Sequence, residues 1–300
     1  MFFLVIFLAG AVSATDDSSS GDELVALQSD DASLESSHTI TGNSFEDIQN
    51  YLNSGNVKAG DTVYLSNSTY SPTSNVTTVY VNIEGITITG SSVSDTNARS
   101  TIVGEKSMFN LNAKGITLSN IDFKYGAAPH PVIGSMGVVQ VVNDDCSILA
   151  CNFENFETAW GGVISTGSEV KNCLISGCNF TKNSDITAAA LFLFGSYHTV
   201  ENCNFIQNSN NDGTIYVDGN NFRCINCNFT DNIVKGFGEG GAFCMYSVEY
   251  SLIQNCNFIN NYAERRGGAI LIGGKYNNIS SCYFEGNSAE NGGAIFHLFR

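Results

Sequence analysis

Basic residues are scarce: 13 Lys and Arg stand against 29 Asp and Glu in 300 residues, a formal net charge of -16. Phosphate backbones and anionic membrane surfaces need clustered Lys and Arg, so this balance excludes a nucleic-acid partner. Charge of either sign is sparse, at 14% of residues. Ten-residue amphipathic helical stretches are absent after residue 55, which removes helical repeats. Leu-x-x-Leu-x-Leu is missing, which removes leucine-rich repeats. Beyond the first residues, no apolar run is long enough to cross a bilayer. What the chain has instead is 30 Gly, abundant Asn and Ser, and 43% hydrophobic residues. That is a strand-and-turn composition with ample material for a core.

The N-terminus reads as a secretory leader over residues 1–14: an apolar run from Phe2 to Val12 with no basic residue before it, then Val12-Ser13-Ala14 as a small-residue cleavage pattern. Residues 15–37 carry seven acidic residues and no basic one, which predicts a solvated, disordered spacer. Residues 38–300 then form a single domain, with 38–59 as an N-terminal cap and the repeats clearest over 116–300. In the cap, "SFEDIQNYLNSG" predicts a short helix. Ser44 and Asp47 form its capping pair, and Phe45, Ile48 and Leu52 share one face.

A script recurs through the remainder. Cys151, Cys178, Cys203, Cys227, Cys256 and Cys282 fall 24 to 29 residues apart, with Ile121 in the same role one coil earlier. Two positions on is always Phe: Phe123, Phe153, Phe180, Phe205, Phe229, Phe258 and Phe284. Five positions on, the last five coils have Asn183, Asn208, Asn232, Asn261 and Asn287. About three short strand signals fit each period of roughly 26 residues, which predicts an all-β parallel β-helix with three strands per coil. Cys and Phe, two apart, face the core from one strand. The apolar residue three before Cys is out of phase with them, so a bend lies between. Asn120, Ala150, Gly177, Asn202, Asn226, Asn255 and Ser281 hold that bend. The recurring Asn is expected to stack on its own copies, and the Gly-Gly before Ala-Ile (161–162, 240–241, 267–268, 292–293) supplies positive φ or close backbone approach.

"SFEDIQNYLNSG…GDTVYL…TY" followed by these coils resembles the adhesin-like surface proteins of methanogenic archaea, built on the pectin-lyase-like right-handed β-helix. The Gly-Gly-Ala-Ile and Phe-x-x-Asn pairing is also similar to the polymorphic outer-membrane autotransporter adhesins of chlamydiae. The resemblance implies a right-handed coil, a secreted or cell-surface location, and attachment as the role. A surface glycan or a protein is the implied ligand.

Few residues outside the script suggest chemistry. The ladder cysteines read as reduced, buried thiols, and Cys224 with Cys227 as packing, since no second pair completes a zinc site. Asp144-Asp145 has no evident basic companions and reads as a solvated loop. Arg265-Arg266 reads as a charged turn, and Trp160 as packing. His38, His130, His198 and His297 suggest no metal site. No catalytic, cofactor or metal residue is therefore expected, and the chain is expected not to be an enzyme. A polysaccharide lyase or glycoside hydrolase on the same fold is the alternative, and a purely structural wall component a third. One surface feature stands out. If Ile164, Leu191, Ile215, Phe243, Ile270 and Ile295 point inward, then Phe192, Tyr216, Cys244, Leu271 and Phe296 form an outward apolar stripe for a partner. The reverse register fits the pattern equally. Of five glycosylation sequons (Asn67, Asn75, Asn179, Asn228, Asn278), Asn179 and Asn228 occupy the outward slot between Cys and Phe.

Overall fold

The computed structural model describes residues 35–66, 68–91, 94–105, 107–126, 132–236 and 238–298. The leader, nearly all of the spacer, Asn67, His130 and the Trp160 side chain lie outside what is described. Three long sheets wind around one core, and every strand pair between coils is parallel. The first sheet has ten strands, from Ser37–Ile40 to Asn278–Ser280. The second has nine, from Thr69–Tyr70 to Tyr283–Glu285, and the third nine, from Val79–Val81 to Ile295–Leu298. A three-stranded ribbon of Ser209–Asn210, Ile233–Val234 and Tyr262–Ala263 bridges the second and third sheets.

The front end has one more element than the sequence suggests. Ser37–Ile40 pairs with Thr62–Leu65 before the helix begins, and the Ser36 amide already donates to Asp61 Oδ1 at 2.9 Å. Packed structure therefore starts slightly inside the stretch assigned to the spacer. The helix Phe45–Leu52 carries a reciprocal capping box between Ser44 and Asp47 and buries Phe45, Ile48 and Leu52. It also covers an open edge. Gln49 Oε1 accepts from the Tyr80 amide at 2.7 Å, and Gln49 Nε2 donates to the Tyr80 carbonyl at 3.1 Å. Both free groups of that strand residue are thereby satisfied.

Each coil turns at left-handed corners. The predicted bend residues all have positive φ, including Ala150 at 50° and Ser281 at 54°. A second corner, before the recurring Asn, puts Lys182, Gln207, Asp231 and Asn260 at 54–56°. A third joins the third sheet to the first and includes Tyr197, Tyr250 and Tyr276. The Gly-Gly pairs divide their labour. Gly240 needs its φ of 71°, whereas a Cβ on Gly241 would lie 2.1 Å from the Gly268 carbonyl oxygen.

Inside, like meets like. The Phe column from Phe123 to Phe284 runs in register, with ring centroids 4.7–5.1 Å apart and planes within 9°. Each fully buried ring in it stabilises the fold by roughly 2 kcal/mol. The cysteines do more than fill space. Cys151, Cys178 and Cys203 each donate their amide to the sulfur of the next coil's cysteine at 3.4–3.5 Å. A strand residue beside a bend loses its ladder partner, and a polarisable sulfur supplies a weak acceptor there. All ten cysteines are free thiols, and Cys224 Sγ lies 3.7 Å from Cys256 Sγ. Burial pushes the Cys178 and Cys224 thiols well above their ordinary pKa.

Asparagines form two ladders. In the inner one, Asn183, Asn208, Asn232 and Asn261 are fully buried, and each Nδ2 donates to Oδ1 in the next coil at 2.9–3.1 Å. The outer one is an addition to the sequence reading. On the outward face of the second sheet, Asn257, Asn228, Asn204, Asn179 and Asn152 each donate Nδ2 to the preceding coil at 2.7–2.8 Å. Asp122 Oδ1 receives the last of these bonds, and Arg99 Nε also donates to it at 2.6 Å.

Candidate functional site

The third sheet keeps one core-facing set of positions, except that Ile295, in its last described strand, is exposed. Ile164, Leu191, Ile215, Phe243 and Ile270 are fully buried and face the core, so the register is the one that turns Phe192 and Tyr216 outward. Along the outward column, Tyr80, Asn110, Gln140 and Ser165 come first, and Asn110 Nδ2 donates to Gln140 Oε1 at 3.2 Å. A hollow of about 510 Å³ lies beside Tyr80, lined by Gln49, Asn53 and Asn82. The second half is aromatic. Phe192 packs against Phe194 at 4.7 Å and against Tyr216 at 5.0 Å, and Tyr216 lies 6.1 Å from Tyr246. All four rings are half-buried.

The expected stripe is not continuous. Cys244 and Leu271 are fully buried although they stand on the outward side. The glycine turns fold over them: a Cβ on Gly213 would lie 2.8 Å from Cys244 Cβ, and one on Gly240 would lie 3.1 Å from the Leu271 amide. Phe296 is separated from the patch and lies under Arg266, whose guanidinium carbon is 5.2 Å from the ring centroid. The sequence reading therefore needs correction at Cys244 and Leu271. The accessible surface is Phe192, Phe194, Tyr216 and Tyr246.

Charge gathers beside this patch. Glu239 is only 4% exposed and pairs with Arg266 Nη1 at 3.2 Å and Arg265 Nη1 at 3.7 Å, so the two arginines are not simply a solvated turn. Burial raises the Asp212 pKa, and the charge of Glu239 raises it further. Burial pushes the Tyr216 phenol up to about 12 and the Tyr246 phenol further still, so both remain hydrogen-bond donors at neutral pH. The patch thus offers aromatic faces and the Tyr216 phenol beside the partly buried Asp212, which is hydrogen-bonded to Tyr246, while Glu239 is buried in its ion pairs. Among the described residues, no three His, Cys, Asp or Glu side chains converge as a metal site.

The remaining sequence candidates lie elsewhere. Asp144 and Asp145 stand at the corner between the third and first sheets, and they do have basic company. Lys114 Nζ is 3.0 Å from Asp145 Oδ2 and also feels the charge of Asp144, whose Oδ1 accepts from the uncharged backbone amide of Lys171 at 2.8 Å. His38 joins Asp61 at 2.9 Å and Tyr51 at 3.1 Å in the N-terminal cap. His198 is buried, accepting from the Cys173 amide through Nδ1 and donating to the Phe194 carbonyl through Nε2. Asn179 and Asn228 do face outward, but each Nδ2 that would carry a glycan is already a rung of the outer ladder.

Residues 161–298 match a family described as "Right handed beta helix region". The fold is a parallel β-helix, right-handed as in that family's description. Among solved structures, the chain is similar to a pectate lyase from a Bacillus species in complex with trigalacturonate. The two share 13% identity, with 84% of this chain and 82% of that one covered and a TM-score of 0.45. It is also similar to the ORF18 protein of a Geobacillus virus, at 16% identity, 84% of this chain, 57% of that one and a TM-score of 0.39. No curated protein matches. The expectation that the chain is not an enzyme is corrected by the first of these structures, since a pectate lyase is an enzyme with the same fold.

Proposed function

We propose that the chain is an exported, cell-surface β-helix that attaches to a surface glycan through the outer face of its third sheet. The observation that carries this reading is the half-exposed patch of Phe192, Phe194, Tyr216 and Tyr246 beside Asp212 and Glu239. Pyranose rings present apolar C–H faces that stack on aromatic rings, while their hydroxyls accept from phenols and donate to carboxylates. The patch is carried by strands held in register on both sides, so little order must be gained on binding. The leader-like run from Phe2 to Val12 supports export.

The purified chain, passed over a panel of cell-wall glycans, is expected to retain at least one of them. The Phe192→Ser/Tyr216→Ser double variant should bind about tenfold more weakly with an unchanged unfolding midpoint. A panel without any retained glycan, or a double variant that binds like the parent, refutes the reading.

One observation favours a second role at the same place, cleavage of the bound glycan. Two carboxylates of unlike environment stand there: Asp212 is shifted toward its protonated form by burial, and Glu239 is ion-paired to Arg266. A half-buried carboxyl shifted toward its protonated form suits a general acid. Release of reducing ends from a retained glycan, abolished by Asp212→Asn, would establish it. No release would leave attachment alone.

A further inference from the structure

The two asparagine ladders differ in how much of their hydrogen-bonding capacity is used. A carboxamide has two N–H donors and an oxygen that accepts two bonds. In the inner ladder all four are engaged. Asn208 Nδ2 donates to the Phe180 carbonyl and to Asn232 Oδ1, while Asn208 Oδ1 accepts from both the amide and Nδ2 of Asn183. In the outer ladder half remain. Asn179 Nδ2 donates once, to Asn152, and Asn179 Oδ1 accepts once, from Asn204. Asn204 and Asn228 repeat that arrangement. Each rung therefore keeps one unused N–H and one unused lone pair, on a side chain whose rotamer its neighbours already hold.

Two rungs of the outer ladder, Asn152 and Asn179, line a groove. A hollow of about 380 Å³ on the outer face of the second sheet is bounded by Asp122, Lys124, Asn152, Glu154, Asn179 and Thr181, among others. Its charges cancel locally: Arg99 pairs with Asp122, and Lys124 stands opposite Glu154 in the strand register. Beyond them the floor is neutral amide, repeated at the coil spacing of about 4.8 Å.

We propose that the outer ladder binds an uncharged polysaccharide laid along the stack. A hydroxyl is, like a carboxamide, both donor and acceptor without charge, so each rung can exchange one bond in each direction with successive sugars. A polyuronate would gain nothing from the neutral floor and would approach a chain of net charge -16 against repulsion. A peptide strand is disfavoured because every ladder strand here already has its backbone partners in the adjacent coils. The proposal is independent of the aromatic patch, which lies on a different sheet.

Affinity electrophoresis in gels cast with β-glucan, mannan or dextran, and with polygalacturonate as the charged control, tests it. At least one neutral polymer should retard the chain, and polygalacturonate should not. Asn179→Ser/Asn204→Ser should weaken retardation about tenfold. Thr181→Arg, which crowds the groove without touching a rung, should do the same, which guards against a folding defect in the double variant. Tyr276→Ser, at an exposed corner outside both faces, should leave it intact. The proposal is overturned if no neutral polymer retards the chain, or if both groove variants behave as the parent.

Discussion

Asn208 and Asn204 belong to the same coil, four residues apart, and sit in ladders of opposite polarity. The inner ladder sends its Nδ2 bonds toward the following coil, the outer toward the preceding one. What separates them is saturation. Asn208 is fully buried and has every bond made, so it holds together groups that have no water to turn to. Asn204 is half-exposed and half-used, so solvent can stand in for any bond it loses. One residue type thereby serves two ends, cohesion inside and recognition outside, and burial decides which.

The largest expected effect tests that division directly. Asn208→Leu leaves the amide and Nδ2 of Asn183 and the Phe180 carbonyl without their buried partner. Unsatisfied buried groups cost about 1–3 kcal/mol each, so the variant should lose roughly 4 kcal/mol of stability. Asn204→Leu should lose less than about 1 kcal/mol, because every group it abandons can reach water. Urea unfolding of the two variants side by side gives the comparison. Equal losses would mean that saturation is not what distinguishes the ladders.

The inner half of this contrast is legible in the amino-acid sequence. The period, the three-strand coil, the inward Cys and Phe, and the bend at Ala150 and its copies all follow from residue types repeating at a fixed offset. The inner ladder is legible because Asn recurs at one offset through the last five coils without exception. The outer ladder carries an equally plain signal, Asn directly after the ladder Cys at 152, 179, 204, 228 and 257. Its alternation marks an outward slot and nothing more, because outward asparagines usually meet only water. The break in the aromatic stripe has no such signal. Leu271 is covered by a glycine turn whose path depends on backbone approach, and no side-chain pattern encodes that. The pairing of Glu239 with Arg266, by contrast, is legible, since each directly precedes the Gly-Gly of its coil and the two bridge in register.

A smaller effect uses pH to separate interior from surface. Neither amide ladder titrates, but His198 does. Burial holds its folded-state pKa below the ordinary value, against the opposing influences of the Phe194 carbonyl and Asp144. Between that lowered value and the unfolded value of about 6.5, the unfolded chain binds more protons. Stability from this source is therefore complete above pH of about 6.5 and declines as the pH falls below it. His198→Gln can still accept from Cys173 and donate to Phe194, and should flatten this decline. The Asn208→Leu penalty should stay constant across the same window. A penalty that tracks pH would show that the inner ladder is coupled to the ring.

The smallest effect concerns the corner that precedes the outer ladder. Ala150 holds a φ of 50°, a conformation that costs an L-residue with a Cβ about 1–2 kcal/mol. The next coil has Gly177 there, at 65°. Ala150→Gly removes the strain but adds about 0.5–1 kcal/mol of backbone entropy to the unfolded chain. The net expectation is a gain of about 0.5 kcal/mol, read as a small rise in the unfolding midpoint. Little packing opposes it. A Cβ on Gly177 would meet Ala150 only at 3.8 Å, an ordinary contact, so this corner is not closely packed from coil to coil. A loss on Ala150→Gly would mean that the methyl group itself is part of the core. The corner would then belong with the saturated interior that Asn208 represents, and its left-handed geometry would be a consequence of packing and not its cause.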